Sequence, residues 1–268
     1  SLVSCADSDE NAPSDVTPLQ KVIFNANSSN AVQRHWNFNN SGLLSTITDG
    51  NGFLLQTFTY DSNGRVTNST VYHPNAETRS YNFSYNSEGS VSGLNGEPLN
   101  FDTALGAYFF GDLNGSYRLF KLNAEGLLVY EKTGGFEIDE TGTIPYTTSE
   151  TYASYSARNM TGLTFNNGNF HGFEHDNHVN PLRNATLAAF KALAVTDYNE
   201  EWLNSFAVSA NNVTRKDYPS EYHIHEEFVY DFNADGMPVS ATMKFYELNH
   251  LDFSIPSILY YYQGDVLP

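Results

Sequence analysis

The feature that most constrains the fold is a short unit that recurs along the chain. A typical copy reads FTYDSNGRV at 58–66: alternating aromatic residues, then Asp or Asn, two variable residues, Gly, and renewed alternation. Alternation places every second side chain on one face of a strand. Asp or Asn starts a turn by bonding its own downstream backbone, and Gly ends it in the left-handed conformation. Each unit therefore predicts a β-hairpin. Six copies occur, at 36–44, 58–66, 83–91, 120–128, 136–144 and 230–238, with the turn glycines Gly42, Gly64, Gly89, Gly126, Gly142 and Gly236.

The composition also favours sheet. The 268 residues include 18 Tyr and 19 Phe, and aromatic side chains suit a pleated, half-buried surface. The expected fold class is mainly β, an antiparallel hairpin meander with a small α-helical insertion. We expect residues 21–268 to form a single β-rich domain.

The helical insertion is predicted at about 181–206. Apolar residues recur near helical spacing in the Ala-rich segment 182–193, and Pro181 suits a first helical turn. A second short helix is expected over 199–206. Both are expected to cover one face or one end of the sheet.

The charge balance limits the choice of partner. The chain has 31 acidic and 13 basic residues, for a formal net charge of −18. That field repels nucleic acid and disfavours charge-driven docking on anionic lipid. A cationic partner or a metal remains compatible with it, and so does a merely solvated acidic surface.

The only cysteine, Cys5, rules out an intrachain disulfide and ends the sequence LVSC at 2–5. LVSC resembles a bacterial lipobox, which implies cleavage before Cys5 and acylation of its sulfur. An incidental free cysteine is the alternative. Because no basic and long apolar segments precede the motif, either a signal peptide has been removed or the match is a coincidence.

Residues 1–20 are expected to comprise the lipobox and a disordered acidic tether. The segment 6–15 is acidic, small and contains Pro. An acidic run after a lipidated cysteine resembles the surface-export signal of Bacteroidota lipoproteins. That resemblance implies a lipid-anchored protein on the outer face of the outer membrane, with the membrane as partner through Cys5.

Residues 36–70 resemble tandem YD repeats of the Rhs family, through TITDGNG at 46–52 and FTYDSNGRV at 58–66. The resemblance implies hairpins and an extracellular setting. The chain has too few repeats to close a shell like those of that family, and no toxin-like C-terminal domain follows them. The overall layout is similar to that of uncharacterised Bacteroidota surface lipoproteins, which supply no activity to carry over.

Histidines form two clusters that are candidates for zinc or another transition metal. The alternative is that they are surface or hydrogen-bonded residues, and no HExxH arrangement is present. The candidates are His171, His175 and His178 in one segment and His223 and His225, beside Glu226 and Glu227, in another.

Three further patterns have a structural and a functional interpretation. Residues 231–236 imitate the start of a calcium loop, but position twelve is Thr242 and the same string is a hairpin repeat. Glu226 and Glu227 could serve glycoside hydrolysis, although neighbours on a strand point to opposite faces. Aromatic residues could stack on a sugar or lie in the core; they are Trp36, Trp202, Tyr260 and Tyr262.

Two functions follow from these patterns. The first is a non-catalytic binding or scaffold protein at the cell surface, with a protein or glycan partner and no required cofactor. The second is a metal-dependent or glycoside hydrolase that uses the segments 171–178 and 223–227. The two are distinguished by whether those segments meet in space.

Overall fold

The computed structural model describes residues 17–73, 77–111, 116–139, 142–196, 201–219 and 222–268, without the side chains of 136–145 and 201–204. Cys5 and most of the acidic tether lie outside the described residues. The predicted fold class is confirmed: most described residues are in antiparallel strands, and two helices follow one another in a single insertion. The elements are β1 Leu19–Phe24, β2 Arg34–Phe38, β3 Leu44–Thr48, β4 Leu54–Tyr60, β5 Val66–Val71, β6 Arg79–Tyr85, β7 Val91–Leu94, β8 Glu97–Pro98, β9 Phe101–Asp102, β10 Ala107–Gly111, β11 Ser116–Leu122, β12 Leu128–Asp139, β13 Gly142–Ser156, β14 Asn159–Phe165, β15 Phe170–Val179, α1 Pro181–Leu193, α2 Glu201–Val208, β16 Asn211–Asp217, β17 His225–Phe232, β18 Pro238–Glu247 and β19 His250–Tyr262.

The sheet closes on itself. Each strand pairs with the next one along the chain from β1 to β8, and again from β9 to β19. Strands β8 and β9 both lie in the short segment 97–102, which pairs with β7 through β8 and with β10 through β9. The first strand pairs on one side with β2 and on the other with β19. Sequence reasoning missed this closure, because it counted only the repeats, whereas the irregular strands between them contribute to the ring.

The repeat turns have one geometry. In the copy at 58–66, the Asp61 carboxylate accepts hydrogen bonds from the amides of Asn63 and Arg65, and the Gly64 amide donates to the Asp61 carbonyl. Gly64 has φ +73°, a left-handed value that costs a side-chain-bearing residue about 1–2 kcal/mol. Asn39, Asn123 and Asn233 make the same pair of side-chain bonds.

The copy at 136–144 differs in how its glycine is paired. Gly142 is the first residue of β13 and pairs directly with Asp139 of β12, whereas the glycines of the other five copies lie between strands. Residues 140–141 lie outside the described residues, so the left-handed turn at Gly142 stays a prediction. Sequence letters alone do not reveal this difference in pairing, because hairpin register depends on the pairing of the whole strand.

Tyrosine hydroxyls connect successive hairpins. Each donates to a backbone carbonyl of an earlier strand, and in four cases the acceptor lies two residues after a turn glycine. The bonds run from Tyr60 to Leu44, Tyr85 to Val66, Tyr155 to Leu128, Tyr262 to Pro238 and, without the preceding glycine, Tyr230 to Val213. We call this set of five hydroxyl bonds the tyrosine staples.

The two helices pack against the buried face of the sheet. Helix α1 begins at Pro181, with the Asn180 side chain accepting a bond from the Leu182 amide as its N-cap. It contacts β1, β3 and β5, and α2 contacts β14 and β16 on the opposite half of the ring. Phe190 packs on Trp36 with ring centroids 5.8 Å apart. The helices therefore occupy space that the sheet encloses.

An ion pair between a buried arginine and a half-buried glutamate connects α1 to a repeat turn. The Arg183 guanidinium donates two bonds to the carboxylate of Glu125, at 3.0 and 2.9 Å, and Glu125 lies in the turn that Asn123 starts. Both contacts come from one guanidinium nitrogen, Nη2, and the opposite charges strengthen them. Within the described ranges, neither helix has the length and hydropathy needed to cross a membrane.

Candidate functional site

A cavity of about 280 Å³ lies on the buried side of the sheet, where β1, α2 and β16–β19 meet. Its wall combines aromatic and aliphatic side chains with a few polar ones. The lining residues are Phe24, Asn25, Phe206, Lys216, Tyr218, Glu226, Phe228, Met243, Ser257 and Ile258.

The polar part of the wall comes from two paired strands. Lys216 of β16 lies opposite Glu226 of β17, so both side chains project from the same face of the sheet. Lys216 is only 7 % exposed, and its ammonium lies 4.6 Å from the ring centroid of Tyr218. Such burial is unusual for a lysine.

The electrostatics of this group follow from desolvation. Burial raises the pKa of the Glu226 carboxyl, while the Lys216 charge and a hydrogen bond from Tyr218 oppose that rise. Burial lowers the pKa of the Lys216 ammonium, and the Glu226 charge opposes the change. Each charge therefore lacks part of the solvation that water would give it.

The apolar part of the wall is built by α2 and the sheet. Phe206 of α2 makes edge-to-face contacts with Phe24 and Phe228, with ring centroids 5.9 and 5.0 Å apart. Met243 and Ile258 complete this side. The cavity thus combines a mostly apolar lining with a few charged and polar groups, which is typical of small-molecule sites.

The two histidine-bearing segments approach each other only through β16. The His171 ring lies 5.2 Å from the Tyr218 ring, and burial together with the Lys216 charge lowers the pKa of His171. Glu226 reaches the same residues from β17 on the other side. Strand β16 lies between the two segments and pairs with both of them.

The other candidate metal ligands are dispersed. His175 bonds Ser209 at 3.1 Å, and burial lowers its pKa to about 4. His178 lies beside Asp176 and stacks on Phe232. In the described part of the chain, no three His, Cys, Asp or Glu side chains are grouped to hold a metal ion.

The two histidines of the second segment, His223 and His225, also have separate surroundings. His225 stacks on Tyr246 at 4.6 Å and lies 3.6 Å from the Glu227 carboxylate. His223 has a left-handed backbone, with φ +49°. A joint zinc site of the five predicted histidines is therefore not formed, because strand register separates the two segments.

The predicted sugar platform is largely core. Trp36 is fully buried against Phe24 and Phe190, and Tyr260 and Tyr262 are 4 % and 6 % exposed. Their aromatic faces are packed against protein, so a surface platform of these residues is wrong. The side chain of Trp202 lies outside the described residues.

The remaining candidates also take structural places. Asn233 starts the turn after β17, and Asp231 accepts a bond from Ser240, as expected of a hairpin rather than a calcium loop. Glu226 faces the cavity, whereas its neighbour Glu227 lies near Arg215 and His225. The two carboxylates do not share a site.

Lys216 and Tyr218 are the site residues that sequence reasoning missed. Lys216 lies in β16 and Tyr218 directly follows that strand, so their spacing of two gave a weak signal, since residues two apart in an extended chain share a face. Bulges between β15 and β16 shift the register after Glu174. The sequence does not reveal such shifts, so the face that Lys216 occupies could not be assigned.

No protein-family model matches the sequence, and no curated protein matches it, so the Rhs resemblance has no such support. Among solved structures, the chain is similar to a porin-like protein from Bacteroides uniformis, with 11 % identity and a TM-score of 0.39, covering 93 % of this chain and 99 % of the other. It is also similar to a porin-like protein from Bacteroides vulgatus, with 10 % identity and a TM-score of 0.29, covering 75 % and 99 %.

Proposed function

We propose that this chain is a non-catalytic binding protein of the bacterial outer membrane surface, anchored by lipid on Cys5. The observation that carries the binding role is the cavity in which Lys216, Tyr218 and Glu226 face an aromatic wall. Apolar pockets with a few convergent polar groups and perturbed pKa values are the default candidates for ligand sites.

The same site favours binding over hydrolysis. Glycoside hydrolysis needs two carboxyl groups flanking one bond, about 5–9.5 Å apart. The groups that act on Glu226 are a lysine and a tyrosine, and Glu227 lies on the other face of β17. The dispersed histidines give a metal-dependent hydrolase little support.

The proposed location depends on the N-terminal sequence. The lipobox-like LVSC at 2–5 and the acidic segment after it support export and anchoring. Two or three acyl chains on one cysteine hold a protein stably at a membrane. A net charge of −18 keeps such a domain away from anionic lipid headgroups.

A ligand screen tests the binding role. Melting temperature is measured with amines, carboxylates, zwitterions and neutral oligosaccharides, for the wild type and for Ser257→Leu, which fills the cavity. Ser254→Leu, at an exposed position of the same strand, is the matched control. A compound that stabilises the wild type and S254L but not S257L supports the proposal. If every stabilising compound acts equally on S257L, or if none stabilises the wild type, the cavity is not a binding site.

Anchoring is tested separately in the native host. Cys5→Ser should move the protein from the membrane fraction to the soluble fraction, and added protease should digest the wild type on intact cells. Ser4→Ala serves as the control, since small residues before the cysteine are tolerated in a lipobox. Unchanged membrane association of C5S would refute the lipid anchor without affecting the cavity. Stoichiometric zinc in the purified protein would instead favour the hydrolase.

A further inference from the structure

We infer that the cavity binds a small zwitterion, a free α-amino acid with an apolar side chain, through Lys216 and Glu226. The inference rests on the proposed binding role of the cavity and adds the chemical class of the ligand. Lys216 would hold the ligand carboxylate, Glu226 the ligand ammonium, and the aromatic wall the side chain.

The first support is the arrangement of the two charges. Lys216 and Glu226 are cross-strand partners that line the same cavity and shift each other's pKa. Between these two described side chains there is no direct ion pair within 4.0 Å. A ligand with one positive and one negative group would contact both charges and make a charge-assisted hydrogen bond to each.

The second support is charge neutrality. The protein carries a net charge of −18, which repels small anions over a Debye length of about 8–10 Å. A zwitterion has no net charge and enters this field without that penalty. A ligand with only a carboxylate would bind Lys216 but leave Glu226 without a partner of opposite charge from the ligand. The negative potential of the protein would also repel it.

The third support is size and wall chemistry. At about 280 Å³, the cavity is just below the ~300–1,000 Å³ of drug-sized ligand sites. Phe206, Phe228 and Ile258 line the same cavity as the two charges and supply its apolar surface. A leucine-sized side chain therefore fits both the volume and the surface that the cavity offers.

The ligand side is tested by isothermal titration calorimetry with three probes. They are L-leucine, isocaproate, which lacks the ammonium, and isoamylamine, which lacks the carboxylate. We expect L-leucine to bind at least about tenfold more tightly than either analogue, since a charged hydrogen bond is lost in each case. This comparison requires no substitution, so it is independent of any variant's folding.

The protein side uses two variants and a control. Glu226→Gln should weaken L-leucine at least about tenfold and leave isocaproate unchanged or tighter, because only the ammonium contact is lost. Lys216→Met should weaken both L-leucine and isocaproate. Glu227→Gln, on the opposite face of the same strand, should bind L-leucine like the wild type. Circular dichroism and melting temperature establish that each variant is folded.

The outcomes separate this inference from the proposed function. The inference of a zwitterionic ligand would be overturned if isocaproate bound as tightly as L-leucine. It would also be overturned if E226Q bound L-leucine like the wild type. If another compound class then stabilises the wild type but not S257L, the cavity remains a binding site. If no probe or screened compound binds, both proposals fail.

Discussion

At the residue scale, burial of ionisable groups governs both the site and the response to pH. Glu226 and His171 were singled out by sequence clustering, since titratable residues close in sequence are easy to recognise. Lys216 was not singled out, because it is recognised only by its low exposure of 7 % and by its pairing with Glu226 across the strands. Neither property can be obtained from the local sequence.

His175 provides a test of acid stability. Burial lowers its pKa from the ordinary histidine value of 6.5 to about 4. Between those values the unfolded chain binds a proton that the folded chain does not, so stability falls as the pH decreases from 6.5 to 4. His175→Gln should reduce this loss of unfolding free energy by about 1–2 kcal/mol. The effect is smaller than the full pKa shift implies, because the ring is partly exposed to water. Urea unfolding at pH 7 and pH 4 measures it.

The matched control is Asn177→Gln, at an exposed position of the same strand that does not titrate. It should leave the difference between the two pH values as in the wild type. Equal pH dependence in H175Q and the wild type would show that His175 does not contribute to acid sensitivity.

At the element scale, the hairpins were predictable and their connections were not. Asp61 and Gly64 act within their own turn, so the letters of the repeat were sufficient to predict it. The Tyr85 staple depends on the register between strands that different turns connect. Gly142 shows the same limit, since only the strand register reveals that it pairs directly with Asp139.

Gly236 isolates the contribution of a turn glycine. Its φ is +74°, and a Cβ there would meet no atom within 4 Å, so a substitution acts through backbone strain alone. Gly236→Ala should lower the free energy of unfolding by about 1 kcal/mol. Gly236→Asn should cost less, because Asn tolerates the left-handed region. Equal stability of the wild type and G236A in urea unfolding would contradict this account.

Tyr262 tests the staples. Its hydroxyl donates to the Pro238 carbonyl at 2.8 Å and is buried, whereas Tyr261, the preceding residue of the same strand, is more exposed. Tyr262→Phe should cost about 1–2 kcal/mol, because the carbonyl loses its partner in a buried place. Tyr261→Phe should change stability by less than about 0.5 kcal/mol. Chemical denaturation of both variants measures the difference. Similar losses of stability in the two variants would show that the hydroxyl bond of Tyr262 has no special stabilising role.

At the whole-molecule scale, ring closure joins the two ends of the described chain. Strand β1 contributes buried Val22 and Phe24 and pairs with β2 and β19, which are far apart in sequence. Local letters could not predict this pairing, because a long-range contact has no short-range sequence signal. The helical insertion at about 181–206 was predicted because helical periodicity is local.

Hydrogen exchange tests the closure. Residues 22–24 of β1 are paired on both sides and buried, so their amides should exchange only through global unfolding. The amides of 101–102 in β9, a short and more exposed strand, should exchange through local opening. Native-state exchange measured by mass spectrometry distinguishes the two. Comparable rates in β1 and β9 would mean that the ring opens at β1.

The tyrosine staples also set an upper limit on the alkalinity that the fold withstands. Burial raises the pKa of Tyr85 to about 12, and it raises the pKa of Tyr60, Tyr155, Tyr230 and Tyr262 as well. Above pH 10 the unfolded chain releases these phenolic protons while the folded chain retains them, so each step upward favours unfolding. In an alkaline titration, phenolate absorbance should therefore rise only well above pH 10, and steeply. The loss of β-sheet should accompany it, because the hydroxyls that join the hairpins ionise as the closed sheet unfolds.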